Sequence, residues 1–151
     1  MLSEMTEQSA SIALESAAPR SARGRGREVV HPSLAVAHQA FHVPSAFVAG
    51  STIYLTGVIA VCRQGEDRAE GFRDAFRQIG EVLEASGAGW DDVVKLTSFH
   101  LDIGADIRVM AAVKDEFCRK PYPAWSVIGA GSLANPDGVC EIEVVACLSA
   151  G

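Results

Sequence analysis

KPYPAWSVIG, at residues 120–129, is the most informative segment of this 151-residue chain. Its two prolines exclude a continuing helix, and the apolar residues after them predict a strand over residues 124–130. A second strand is predicted over residues 139–148, where VCEIEVVA occupies positions 139–146. The Asn-Pro-Asp-Gly sequence at 135–138 is typical of a loop. The two segments therefore predict a pair of strands joined by a loop.

Upstream, the spacing of apolar residues changes twice to that of a helix. One helix is predicted over residues 69–85, where one helical face carries Phe72, Phe76, Ile79 and Leu83. Ser86-Gly87 is a suitable stop for this helix. A second helix of about 12–14 residues is predicted to begin near Gly104 or Asp106, with one face formed by Ile107, Met110, Ala111, Lys114 and Phe117.

The other apolar segments predict strands. Residues 51–57 are β-branched and aromatic, and residues 92–101 alternate in character. Residues 34–49, broken by Pro44, predict two short strands or a strand and its return. His100 is expected at the surface, where its strand ends. The order is therefore β-β-β-α-β-α-β-β, an α+β fold with two helices on one face of the sheet. The other face stays apolar and uncovered, which favours association of several copies of the chain.

The charge distribution disfavours nucleic acid as a partner. Residues 1–27 hold four arginines against three glutamates, a net charge of +1, which leaves nine basic and sixteen acidic residues, a net charge of −7, for the remainder. Phosphate contacts need clustered Lys and Arg, which such an acidic body does not provide. No apolar run approaches the roughly 20 residues that span a bilayer. A membrane partner is therefore not expected either.

Composition also predicts the domain organisation. Residues 1–28 are rich in Ser, Ala, Gly and Arg, which is typical of a disordered tail. Residues 29–151 have the length and composition of one globular domain. Three glutamates interrupt any apolar leader in the tail, so a cytoplasmic location is expected.

No metal or organic cofactor is expected. The four cysteines, at positions 62, 118, 140 and 147, form no C-x-x-C pair, so neither a zinc site nor a disulfide framework is predicted. Reduced thiols fit a cytoplasmic protein. His38 and His42 are expected on a strand, where four residues span about 13 Å. That separation is too large for the two side chains to share one ion.

Five short motifs, taken together, resemble one known family. They are Ile-Tyr-Leu-Thr-Gly at 53–57, Ala-Phe-Arg-Gln-Ile at 75–79, Asp-Val-Val-Lys-Leu-Thr at 92–97, Pro-Ala-Trp-Ser at 123–126 and Glu-Ile-Glu at 141–143. Their order and spacing over residues 42–148 resemble the Rid family, the YjgF-like reactive intermediate deaminases. The resemblance implies a chorismate-mutase-like mixed sheet, assembly as a homotrimer, and ligand pockets between subunits.

Two matched positions keep the chemistry that the resemblance implies. Glu141 matches the glutamate that handles the catalytic water, and Thr56 keeps the hydroxyl of the usual serine. Glu141 is therefore the predicted general acid/base, and Thr56 is predicted to donate or accept one hydrogen bond in catalysis. Gly57, which follows Thr56, and His42, which precedes the segment matching a family tyrosine, are predicted to lie at the substrate pocket.

Other matched positions depart from the family pattern. Val43 replaces the tyrosine, Met110 an asparagine and Val127 a cysteine, which gives an apolar substrate-binding pocket; Met110 also fits a helix core. Trp125 replaces the arginine that holds the substrate carboxylate in the deaminases. Arginine binds a carboxylate through two hydrogen bonds, whereas tryptophan offers one N–H and a π face. Losing such an anchor weakens binding by ~2–5 kcal/mol, so poor activity on 2-aminoacrylate is expected.

Without the resemblance, these residues have plainer interpretations. Glu141 and Glu143 share one strand face and would be a solvated pair, while Trp125 would belong to the core. With it, Trp125 becomes a pocket wall that stacks on an aromatic ligand or faces a cation. Cys140 alternates away from Glu141 and is expected in the core. Neither Cys140 nor Cys147 has an evident basic partner, so neither is predicted to be a nucleophile.

The sequence thus predicts a Rid-like homotrimer with an inter-subunit pocket. Its acid/base chemistry would be hydrolysis, hydration or proton transfer on a small imine, enamine or carbonyl compound, apolar or aromatic rather than amino-acid-like. One alternative is a non-catalytic trimer that binds or senses a small molecule. Another is a retained deaminase in which Arg108 or Lys114 holds the carboxylate. Ribonuclease or translation-inhibitor activity, attributed to some relatives, disagrees with the acidic body.

Overall fold

The computed structural model describes residues 24–150. The predicted disordered tail therefore lies mainly outside the described residues, although Arg27 and Glu28 belong to a strand. The elements are, in chain order, β1 (Arg27–Val29), α1 (Ala35–Phe41), β2 (Ala46–Ala49), β3 (Thr52–Leu55), β4 (Val58–Val61), α2 (Arg68–Ala85), β5 (Val93–His100), α3 (Ile103–Phe117), β6 (Ala124–Gly129) and β7 (Gly138–Cys147). Among these elements, no helix has the length and apolar character needed to cross a bilayer.

The strands form one mixed sheet in the order β1-β2-β3-β7-β5-β6, with β4 also paired to β7. β5 and β6 run parallel, joined by α3 as a crossover, and the other pairs are antiparallel. β7 is the central strand. Its first half pairs with β4, its last residues pair with β3, and β5 runs along its other side.

Two helices cover one face of this sheet, as predicted. The apolar faces of α2 and α3 pack on a core formed by every second strand residue, because side chains alternate across a strand. Leu96, Ile142 and Val144 belong to this core and are fully buried or nearly so. All four apolar residues that predicted α2 are buried in it. The α+β class with a mixed sheet is therefore confirmed.

The opposite face of the sheet carries no helix. It presents the alternate residues of the same strands, and we call it the helix-free face; its members include Tyr54, Ile59, Phe99, Ile128, Glu141 and Glu143. Tyr54 and Ile128 are 52% and 43% exposed. The predicted apolar, uncovered face is thus present in the described chain.

The prediction for residues 34–49 was half wrong. Residues 46–49 are a strand, but residues 35–41 form helix α1. Three alanines in AVAHQAF favour a helix. Pro32 begins a short 3-10 turn that leads directly into this helix. The helix ends at Phe41 and is capped by His42, which adopts the left-handed conformation with φ of 57°. There are therefore three α-helices rather than two, and α1 buries none of its residues.

β4 was not predicted as a separate element. Val58–Val61 are β-branched or small, and they re-enter the sheet directly after Thr56-Gly57. Their pairing is with β7, which is distant in sequence. Local patterns do not reveal such a partner, since strand preference depends on the neighbours with which a strand packs.

Candidate functional site

Glu141 lies in the middle of β7, on the helix-free face. Its cross-strand neighbours are Ile59 of β4 and Phe99 of β5. Cys140 and Ile142, on either side of it, are fully buried in the core, whereas Glu141 is half-buried. In the part of the chain that the structure describes, its carboxylate has no salt-bridge partner. The group is therefore available to hold or move a proton.

Gly57 makes the position of this carboxylate possible. A β-carbon built on Gly57 would lie 2.7 Å from Cγ and 2.8 Å from Cδ of Glu141, and still closer to Oε1. Such distances are below van der Waals contact, so any larger residue would displace the carboxylate. The glycine thus lets the acid pack directly against the backbone between β3 and β4.

Thr56 ties this junction to the segment after α1. Its hydroxyl donates to the carbonyl of Pro44 at 2.7 Å, and its backbone N–H donates to the carbonyl of Ser45 at 3.0 Å. The hydroxyl proton is therefore engaged, and the oxygen remains free to accept a hydrogen bond. Thr56, Gly57 and Glu141 form what we call the glutamate cluster. His42 and Val43 directly precede Pro44 in the chain.

The other predicted pocket residues lie on the opposite side of the sheet. Trp125 and Val127 pair with Leu96 and Ser98, which are both fully buried beneath the helices. Met110 of α3 is also fully buried in the core. Within one chain, the sheet thus separates Trp125, Val127 and Met110 from the glutamate cluster. A pocket containing both groups requires residues from another copy of the chain.

A chain of polar side chains runs beneath Trp125, and the sequence did not predict it. The indole Nε1 donates to Ser98 Oγ at 2.8 Å, and Ser98 Oγ lies 2.7 Å from His100 Nε2. His100 Nδ1 lies 2.8 Å from Asp106 Oδ2, and Arg68 donates to Asp106 Oδ1 at 2.5 Å. We call these five residues the buried polar chain.

The surface position predicted for His100 is wrong. Its side chain is fully buried, as are those of Ser98 and Asp106. Asp106 belongs to the first turn of α3, which brings its carboxylate back over the end of β5. The alternation of side chains along β5 could have predicted the burial of His100. Leu96, Ser98 and His100 share one face of this strand, and that face is the core face.

Lys114 of α3 faces the indole. Its Nζ lies 5.6 Å from the centre of the Trp125 ring and 5.4 Å from that of Tyr122, and it donates to Asp115 Oδ1 at 2.7 Å. The Lys114 side chain is 11% exposed. The sequence predicted that Trp125 could face a cation, and in the structure that cation is the Lys114 ammonium of the protein itself.

Two of the described cysteines, Cys118 and Cys140, are buried thiols with raised pKa values. Burial, with smaller contributions from Asp106 and Glu141, raises the pKa of the Cys140 thiol well above its usual range. Burial also raises the pKa of Cys118. The predicted core position of Cys140 is confirmed, since its side chain is fully buried.

His38 lies in a helix rather than in the predicted strand, and it belongs to no group of metal-ligating side chains among the described residues. His38 lies in α1, and its Nε2 is 3.3 Å from Glu28 Oε1, whereas a strand was predicted there. Over residues 24–150, no three or more His, Cys, Asp or Glu side chains gather so that they could hold an ion.

Similarity to known proteins agrees with this architecture. The family model described as endoribonuclease L-PSP matches residues 34–148. The RutC family protein YjgH of Escherichia coli is 32% identical over 106 residues, covering 68% of this chain and 79% of that protein. A 2-iminobutanoate/2-iminopropanoate deaminase of Dermatophagoides farinae is 36% identical over 101 residues, covering 64% of this chain and 77% of that protein.

The solved structures agree as well. Rv2704 of Mycobacterium tuberculosis, a member of the YjgF/YER057c/UK114 family, superposes with a TM-score of 0.71 at 27% identity, covering 81% of this chain and 98% of that one. The fold is thus the chorismate-mutase-like α+β fold that the motifs implied. With most of its length matched by the family model and a relative above 30% identity, the chain belongs to the endoribonuclease L-PSP family, also called the YjgF or Rid family.

Proposed function

We propose that this chain assembles as a homotrimer and hydrolyses a conjugated imine or enamine in a pocket between subunits, with Glu141 as general acid/base. The observation that carries the proposal is the contact between the Glu141 carboxylate and Gly57. It holds an acid that has no salt-bridge partner among residues 24–150 at a defined place on the helix-free face. A group with these properties is suited to proton transfer in a subunit cleft.

The proposed reaction needs one water and no cofactor. Glu141 takes a proton from the water as its oxygen attacks the imine carbon, and the electron pair of the C=N π bond moves to nitrogen. The Thr56 oxygen accepts a hydrogen bond from the attacking water. Glu141 then returns its proton to nitrogen, which gives a carbinolamine. It next takes the proton of the carbinolamine hydroxyl and passes it to nitrogen, so that the C–N bond breaks and ammonia leaves as the carbonyl forms. An enamine enters the same sequence after protonation at carbon.

The surroundings of Trp125 favour a planar substrate without a second cation. Its indole offers a π face, and the Lys114 ammonium already lies near that ring. A cationic ligand would be repelled by Lys114, whereas a neutral or anionic conjugated molecule would not. The excess of acidic residues over residues 28–151 disfavours RNA as the substrate.

Ammonia release from two freshly generated substrates tests the proposal. A flavin-dependent amine oxidase supplies benzaldimine from benzylamine, and a serine dehydratase supplies 2-aminoacrylate. We expect acceleration with benzaldimine, little with 2-aminoacrylate, and a loss of at least about 10²-fold in Glu141→Gln. Glu143→Gln, two residues along the same strand face, is the matched control and should keep the activity.

Several outcomes would contradict the proposal. Wild-type protein that leaves both substrates at their spontaneous rates of hydrolysis excludes these reactions. Tight binding of an aromatic compound without turnover, unaffected by Glu141→Gln, would favour the non-catalytic alternative. Trp125→Arg reports on the scaffold, because a gain of 2-aminoacrylate activity would show that an arginine at this position is what was missing.

A second candidate is a deaminase that keeps amino-acid-derived imines as substrates. The position of Lys114 favours it, since this ammonium lies beside the residue that replaces the family arginine. The deaminase relative from Dermatophagoides farinae is named for two such imines. Wild-type activity on 2-aminoacrylate that is lost in Lys114→Gln and kept in Arg108→Gln would support this candidate over the first.

A further inference from the structure

In the buried polar chain, the chemistry of each side chain determines which group donates and which accepts every hydrogen bond. Tryptophan has one N–H and no acceptor, so Ser98 must accept from Trp125. The serine proton is then free for His100 Nε2, and His100 Nδ1–H donates to the Asp106 carboxylate, which also accepts from Arg68. Every buried side-chain polar atom among the described residues has a partner, and this arrangement satisfies those of the chain.

Ser98, His100 and Asp106 have the distances of a nucleophile, its base and the residue that orients the base. The serine is not placed to attack a substrate, however. All three side chains are fully buried, and the Ser98 oxygen already receives the Trp125 N–H. The geometry therefore points toward Trp125 as the group that the chain serves.

Stability alone does not account for these residues. Replacing a buried ion pair by apolar residues of similar volume is often neutral or stabilising, and the neighbouring core positions of β5 and β7 are apolar. A fully satisfied polar network instead fixes one arrangement of its members. One end of the chain is Arg68, whose side chain is 34% exposed, and the other is Trp125, a half-buried side chain on the edge strand β6.

We propose that the buried polar chain is a positioning device that determines specificity at the Trp125 wall. It holds the indole in one orientation and uses its only N–H within the protein. A ligand therefore meets a fixed aromatic face and receives no hydrogen bond from the indole. The class of ligand that fits is a planar conjugated molecule bound by stacking; this assignment, unlike the positioning itself, rests on the proposed function.

Fluorescence tests the positioning without any substrate. Trp90→Phe leaves Trp125 as the single tryptophan and keeps an aromatic ring beside Phe76 and Phe117. In this background, we expect Ser98→Ala to shift the Trp125 emission maximum, raise its quenching by acrylamide and remove its near-ultraviolet circular dichroism. Ser98→Thr, which keeps the hydroxyl, should restore all three.

The matched control is Ser126→Ala. Ser126 lies next to Trp125 on the other face of β6 and accepts a hydrogen bond from Lys95, so its loss should leave the Trp125 signals unchanged. A Ser98→Ala variant that folds and shows the parent signals would overturn the proposal. Equal changes in Ser98→Ala and Ser126→Ala would do the same, because they would indicate a general loosening of the strand.

Turnover of benzaldimine then tests the role in specificity. We expect Ser98→Ala to raise KM about five- to tenfold, the effect of about 1–1.4 kcal/mol, with kcat unchanged. A fall in kcat with KM unchanged would contradict a role in substrate positioning. If wild-type protein shows no turnover, the proposed function fails, while the fluorescence result still decides whether the chain orients Trp125.

Discussion

At the scale of single residues, the glutamate cluster depends on Gly57, because this residue has no side chain that would displace the Glu141 carboxylate. Glu141 could be chosen from the sequence because the Glu-Ile-Glu motif resembles a family site, and strand alternation correctly separated it from Cys140. Its contact with Gly57 could not be predicted, since the two residues are 84 positions apart and meet only through pairing of β4 with β7. The glycine is therefore a site residue through the space that it leaves.

Gly57→Ala should reduce activity while leaving the fold intact. The added methyl group would displace the flexible end of Glu141, and a misplacement of about 1 Å can lower the rate about 10²-fold. Stability should change by no more than about 1 kcal/mol. Benzaldimine turnover and thermal unfolding measure the two effects. Gly131→Ala is the control, because a β-carbon added there would have nothing within 4 Å; equal losses in both variants would contradict the steric explanation.

Cys140 should make the protein less stable at alkaline pH. Its folded pKa is raised by burial, so above about pH 8.5 the unfolded chain loses a proton that the folded chain keeps. Stability therefore falls as pH rises, by up to about 1.4 kcal/mol per pH unit for this group. Urea unfolding from pH 7.5 to 10 should show a shallower fall in Cys140→Ser. Cys147→Ser, at an exposed position, should keep the wild-type slope; identical slopes in all three proteins would exclude the effect.

At the scale of elements, the local sequence pattern predicted secondary structure correctly where an element is long and strongly periodic. Helices α2 and α3 were predicted within a few residues, because each buries one regular face in the core. It failed for α1, where alanine content and Pro32 favour a helix over the strands that Val36 and Phe41 suggested. It also failed for the buried polar chain, which joins four elements and has no local pattern that distinguishes it.

The packing of α2 against α3 should be sensitive to Phe76. Its ring is fully buried and stacks on Trp90 at 5.3 Å and Phe117 at 5.2 Å. Phe76→Ala should therefore cost about 3–5 kcal/mol of unfolding free energy. Phe41→Ala, on the 77% exposed ring of α1, should stay within about 0.5 kcal/mol. Urea midpoints at constant m-value test both, and a small effect of Phe76→Ala would show that the aromatic cluster adapts.

At the scale of the whole molecule, the sheet separates two sets of predicted site residues. The sequence could identify both sets, since each rests on a short motif. It could not show on which side of the sheet they lie, because that depends on the register of β5 with β6 and β7. A site that needs both sets is incomplete in one chain, which is why the proposed function includes assembly.

Tyr54→Glu should prevent that assembly. Tyr54 lies on the helix-free face and is 52% exposed in the single chain; a carboxylate there would be desolvated at a subunit interface. Sedimentation should show a trimer for wild type and a monomer for the variant, with unchanged far-ultraviolet circular dichroism. Ala112→Glu, on the exposed side of α3, should remain a trimer. A wild-type monomer, or a trimeric Tyr54→Glu, would exclude this face as the interface.

The central position of β7 also has a consequence for biosynthesis. β7 follows every other strand in chain order, yet β3, β4 and β5 all need it as a partner. While the ribosome is still translating residues 138–147, β1–β3 and β5–β6 are separate parts of the nascent sheet with open hydrogen-bonding edges, and β4 has no partner strand. Such edges are prone to pair with other chains. The protein therefore reaches its native topology only after nearly all of these residues have been synthesised, and a translation arrest before residue 138 would release an aggregation-prone fragment.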